Sequence, residues 1–188
     1  MKFEYQKVTR EKSKCLRRKF IEAFINKSHE LYARIDGVSA DEEVTDFEGY
    51  TESYLWSCLK SEYKVQADFY SMMNYLGKME KEKVYAMWDV RPKKVIYPVK
   101  VNFYKHPYLD NFRTDDVIEI APKELCEILL RDQHIDEKCS FIREICDTYL
   151  PDDVYIFDET FSWVMAITHE ANENHDRCCF GKYSSEQV

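Results

Sequence analysis

The densest gathering of chemically capable side chains lies near the C-terminus, where Thr168-His169-Glu170 is followed by His175, Asp176, Arg177, Cys178 and Cys179. His169, His175, Cys178 and Cys179 offer the nitrogen and sulfur donors that Zn2+ takes in a tetrahedron, and Glu170 would serve as general base beside such a metal. The spacing, His-x5-His-x2-Cys-Cys, matches no established ligand pattern. Adjacent cysteines on an extended strand also point to opposite faces, so Cys178 and Cys179 would not share an ion. No metal and no cofactor are expected; His169, His175 and Cys178 are the ligands a metal-dependent alternative would use. The ordinary role for His169 at a strand end is an imidazole held by Glu170 or a backbone carbonyl.

Two other chemistries are conceivable. An imidazole lowers the pKa of a neighbouring thiol and activates it as a nucleophile, but nothing fixes which cysteine His169 would serve. Asp158 and Glu159 could be read as a hydrolase pair, yet neighbours on an extended chain diverge, whereas a glycosidase needs two acids facing one bond. The chain has no Gly-rich phosphate loop, dinucleotide fingerprint, Gly-x-Ser-x-Gly elbow or His-Glu-x-x-His helix, and its 4 glycines leave little material for a phosphate cradle. Binding is favoured over catalysis.

Charge then directs attention to surfaces. The 27 basic and 35 acidic residues leave a net charge of −8, so broad attraction to nucleic acid or anionic lipid is not expected of the chain as a whole. That average is uneven. Residues 1–20 hold eight basic and two acidic side chains, +6, which leaves −14 on the other 168 residues. Between Arg34 and Lys60 there is no base, while Asp36, Asp41, Glu42, Glu43, Asp46, Glu48 and Glu52 contribute seven acids. A second base-free stretch, 144–176, carries nine acids, among them Asp152, Asp153, Asp158, Glu159 and Glu170. Two such stretches read as a docking surface for a cationic protein, with Tyr50, Tyr54 and Trp56 as aromatic anchors. The basic N-terminal segment leaves open a separate contact with nucleic acid or another subunit.

The rest of the composition bounds the class. Twenty-eight aromatics in 188 residues can fill the core of one domain and argue against disorder. No stretch approaches the roughly 20 apolar residues of a membrane span. Seven cysteines, an odd count without framework spacing, suit reduced thiols in the cytoplasm. The opening Met1-Lys2-Phe3-Glu4 is unlike a secretory signal.

These side chains must be positioned by elements that periodicity locates. Apolar residues at Leu16, Phe20, Ile21, Phe24, Ile25, Leu31 and Ile35 predict a long N-terminal helix over about 11–35. Residues 36–49, acidic with Gly37 and Gly49, read as a mobile loop. A second helix is expected over 63–76, closed by Gly77. The segment 83–90 is apolar on both faces, as in a buried central strand, and 95–104 alternates like an edge strand carrying Pro98. Val117-Ile118-Glu119-Ile120 leads into a helix with Pro122 at its first position and Leu125, Ile128 and Leu129 buried. A further helix is expected over 136–150, ended by Pro151. Residues 154–157 and 161–168 predict a terminal hairpin. The sum is a single α+β domain spanning 1–188, with helices packed on one face of a largely antiparallel sheet.

The block Asp153-Val154-Tyr155-Ile156-Phe157-Asp158-Glu159-Thr160-Phe161-Ser162-Trp163-Val164-Met165-Ala166-Ile167-Thr168-His169-Glu170 resembles a hairpin found in small, uncharacterised bacterial proteins of toxin-immunity type. Tyr54-Leu55-Trp56 and the strand through Tyr85 are similar to blocks preceding it there. The resemblance implies a cytoplasmic inhibitor that neutralises a cationic toxin domain by direct contact, and it brings no catalytic residues. A small hydrolase or metal-dependent enzyme built on the His169, Glu170, His175 and Cys178 cluster is the alternative.

Overall fold

The structure, a computed structural model, describes residues 5–32, 54–88, 117–139, 153–171 and 177–183. Along the chain these form β1 (Tyr5–Lys7), α1 (Arg10–Phe24), a 3-10 turn (Leu55–Cys58), β2 (Gln66–Ala67), α2 (Phe69–Lys78), β3 (Val84–Trp88), β4 (Val117–Ile120), α3 (Pro122–Cys139), β5 (Val154–Phe157), β6 (Val164–Ala171) and β7 (Arg177–Lys182). The strands make one sheet in the order β1-β4-β3-β5-β6-β7-β2, antiparallel at every pairing. The class is α+β. The expected edge strand at 95–104 and the helix beyond Cys139 lie outside the described residues.

Period-two alternation sorts the strand side chains onto two buried faces. Val84, Ala86 and Trp88 of β3, Val154 and Ile156 of β5, and Met165 and Ile167 of β6 meet α2 and α3. Tyr85, Met87, Tyr155, Phe157, Val164 and Ala166 from the same strands meet α1 and the 3-10 turn. Helices therefore cover both faces, which corrects the expectation of a one-sided layer. The reason was already in β3 and β5: a strand apolar at every position must be dry on both sides.

The N-terminal helix also proves shorter than its periodicity predicts. It begins where the Thr9 side chain accepts a hydrogen bond from Lys12 N–H, and it ends at Phe24, with Ile25 extended. Tertiary contacts end it. Ile25 bridges Leu59, Asn26 N–H donates to the Cys58 carbonyl, and the Lys60 ammonium donates to the carbonyls of Glu22 and Ala23 at 2.9 and 2.6 Å. A cation on the last turn is where the helix dipole is best answered.

The second helix starts six residues later than expected, because Asp68 caps it by accepting from Ser71 N–H at 2.7 Å. Gly77 lies inside that helix and does not end it. A Cβ there would stand 3.4 Å from Cys126 Sγ, so its place is a close crossing with α3. Gly181 is needed more strictly: a Cβ on it would lie 2.5 Å from the Val164 carbonyl oxygen, closer than the β6–β7 pairing permits.

Candidate interaction surface

The expected hairpin is present, with Tyr155 paired to Ala166 and Ile156 to Met165. At its turn Asp158 is fully buried. Its carboxylate accepts from Lys81 Nζ at 2.5 Å, from Thr160 N–H at 3.0 Å and from the Thr160 hydroxyl at 2.5 Å. Burial opposes the charge, but the Lys81 ammonium and the Thr160 hydroxyl outweigh it and hold the pKa below the usual carboxylate value. Asp153 is buried as well. Both are too buried to offer their charge to a partner, which corrects their assignment to a docking surface; the Asp158 carboxylate is used to build the turn.

Glu159, by contrast, is exposed at the turn. Beyond it Phe161 adopts a left-handed backbone, φ 51°, which costs a side-chain-bearing residue strain that its surroundings must hold. The ring provides that hold. It packs against Phe157, 5.3 Å away between centroids, and Phe24, 6.4 Å away.

Trp56, within the 3-10 turn, is buried, so it is a core residue and not a surface anchor. Its backbone N–H donates to the Tyr155 hydroxyl at 2.9 Å, and its ring stacks on Phe180 at 5.8 Å and 7°. Tyr54 also stacks on the Trp56 ring, at 6.1 Å and 9°, and is half-buried. Asp41, Glu42, Glu43, Asp46, Glu48, Tyr50, Asp152 and His175 lie outside the described residues.

No family model, curated protein or solved structure matches the chain. What this surface can do must come from its own groups. Glu170, near the end of β6, is exposed, and its N–H donates to the Thr168 hydroxyl, which donates in turn to the Cys178 carbonyl at 3.0 Å. Burial and the Glu170 charge push the Cys178 thiol up, the wrong direction for a nucleophile. Burial does the same to Cys126, whose thiol donates to the Met73 carbonyl at 3.2 Å. Cys179 is buried where Cys178 is half-buried, as alternation requires. His169 lies in β6. Among the described residues no group of three or more His, Cys, Asp or Glu gathers to hold a metal, and no helix is long and apolar enough to cross a membrane.

A charged feature that sequence reasoning missed is Glu119. It is buried on the α1 side of β4, paired with Lys12 of α1 and with Lys83, the latter at 2.7 Å. Burial raises its pKa, but the two ammonium groups outweigh that and the net direction is down; Lys12 is correspondingly raised. One acid within an otherwise apolar strand was the available signal. Arg17 is also committed inward, donating from Nη1 to the Trp88 carbonyl at 2.7 Å.

Proposed function

We infer that the protein is a binding protein of the cytoplasm, an immunity-type inhibitor that neutralises a cationic toxin domain by direct contact through its acidic stretches. The observation that carries this reading is how near the described end of one stretch comes to the other. Tyr54, which follows the acids of 36–52, stacks on Trp56, and Trp56 stacks on Phe180. Phe180 is the partner of Ala166 across β6 and β7, four residues before the exposed Glu170. Acidic stretches of this kind steer a basic partner and select it. Among the described residues, Glu170 and half-buried Tyr54 are ones such a partner would touch; the acids Asp41, Glu42, Glu43, Asp46 and Glu48 and the ring of Tyr50 are assigned to it from the sequence. The buried pairs at Asp158 and Glu119 and the raised Cys178 thiol favour binding over hydrolysis, because each is shifted away from acid, base or nucleophile use at neutral pH.

Calorimetry at low salt against the basic protein that co-purifies with the chain from its native cell tests this. The triple variant Asp41→Lys, Glu42→Lys, Glu43→Lys is expected to weaken binding at least about tenfold, chiefly through a slower association rate. Glu170→Lys should weaken it less. Unchanged affinity in the triple variant would sink the reading.

A further inference from the structure

The basic segment at the other end of the chain has a surface of its own. Helix α1 carries Arg10, Lys12, Lys14, Arg17, Arg18 and Lys19 against Glu11 and Glu22. Lys12 and Arg17 are committed within the fold, to Glu119 and to the Trp88 carbonyl. Arg10, Arg18 and Lys19 are exposed, and Lys14 is half-buried. At the C-terminal end of the helix lie two half-buried rings, Phe161 and Tyr63, both resting on Phe24 at 6.4 and 5.0 Å between centroids. Each ring has an ammonium over it. Lys19 Nζ is 6.0 Å from the Phe161 centroid and Lys182 Nζ is 5.9 Å from that of Tyr63, and both lysines are exposed.

We propose that this surface, running from the cations of α1 onto the Phe161 and Tyr63 rings, binds single-stranded nucleic acid. Cations that track a phosphate backbone beside aromatic rings that accept unpaired bases are the two parts such binding needs, and every base has a face to stack. The ammonium over each ring places both parts within one side chain's swing of each other. A phosphate can draw Lys19 or Lys182 away while a base takes its place on the ring. An anionic membrane fits less well, because a basic amphipathic helix binds lipid by inserting its apolar face, and Leu16, Phe20, Ile21 and Phe24 are already buried against the sheet. An acidic peptide would satisfy the lysines and leave the rings unused. Glu11 and Glu22 keep the positive field modest, so the contact is weak and sensitive to salt. Glu159, exposed on the same turn as Phe161, adds to that restraint.

The test is fluorescence anisotropy of a labelled deoxythymidine strand of about twelve nucleotides, titrated with the full chain at several salt concentrations. An abasic strand of equal length and a polyglutamate peptide serve as competitors. Binding is expected at low salt, with log affinity falling against log salt at a slope of roughly −2 to −3, as three or four phosphate contacts would give. Lys19→Ala with Lys182→Ala, both at exposed positions, should reduce that slope by roughly 1.4 and the affinity about tenfold. Phe161→Leu should weaken the thymidine strand about tenfold and leave the abasic strand unchanged. Tyr63→Leu, away from the strained turn, repeats that readout should Phe161→Leu unfold. The proposal is overturned by absence of binding at low salt, by competition from the abasic strand or polyglutamate as strong as that from thymidine, or by a salt slope untouched in the double lysine variant.

Discussion

On one face of the sheet α1 packs through a cluster of rings joined by polar keys; on the other, α2 and α3 pack mainly through methionine and aliphatic chains, with Phe69, Trp88 and Trp163 among them. Phe20 sits at 5.0, 5.2 and 5.1 Å from Phe24, Tyr155 and Phe157, and around that cluster Glu119 reaches Lys12, Arg17 reaches the Trp88 carbonyl, and Trp56 N–H reaches the Tyr155 hydroxyl. Opposite them, Met72, Met73 and Leu76 meet Leu125, Ile128 and Leu129. Rings prefer particular angles and hydrogen bonds need particular atoms, whereas methionine adapts to the space it is given. The α1 face should therefore tolerate little change, and the α2/α3 face more.

Truncation within the ring cluster should give the largest effect. Phe20→Ala removes a fully buried ring and three ring contacts, and is expected to cost about 3–5 kcal/mol. Met73→Leu, equally deep on the other face, should cost less than about 1.5 kcal/mol because it conserves volume and asks for no defined angle. Urea unfolding with matched changes checks the comparison: Phe20→Leu is expected to cost more than Met73→Leu, and an equal or smaller cost would break it.

Much of this contrast could be read from the sequence, and the omissions have physical causes. The run Val84-Tyr85-Ala86-Met87-Trp88 announced a strand dry on both sides, and Pro122 announced the start of α3. The hairpin of β5 and β6 followed from alternation. The strands β1 and β7 were not visible, since Tyr5-Gln6-Lys7 is three residues long and Arg177-Cys178-Cys179-Phe180-Gly181-Lys182 mixes charge, thiol and glycine without a period. Local pattern also could not end α1 at Phe24, because the residues that end it, Cys58, Leu59 and Lys60, come from a distant segment. The candidate site suffered most for the same reason. Asp158 looked like a surface acid because its lysine stands 77 residues away in sequence, and Trp56 looked like an anchor because its stacking partner Phe180 lies on the last strand.

The ion pairs of Glu119 come next in size. Glu119→Gln keeps the shape but removes the charge that two lysines share. Because those lysines are 45% and 51% exposed, solvent screens what they lose, and about 1–2 kcal/mol is expected. Its lowered pKa means that the folded chain binds fewer protons than the unfolded one between the two pKa values. The stabilisation is present in full above the ordinary carboxylate value and disappears as pH falls through the lower, folded value. Denaturation of wild type and Glu119→Gln across that acidic range should show the gap closing; a constant gap would mean the pairs do not hold α1.

The smallest expected effect lies on the more tolerant face, at Gly77. Alanine there gains helix propensity worth up to about 1 kcal/mol over glycine, less near a helix end, and needs no unusual backbone. The added Cβ would meet Cys126 Sγ at 3.4 Å, an ordinary contact with a thiol that is already turned toward the Met73 carbonyl. If this face adapts, Gly77→Ala stabilises the protein by about 0.5 kcal/mol, visible as a small rise in Tm. If α2 and α3 are as rigidly matched as the rings around Phe20, the same methyl group forces the helices apart and Tm falls. The sign of this one shift therefore decides whether the two faces differ in tolerance or only in composition.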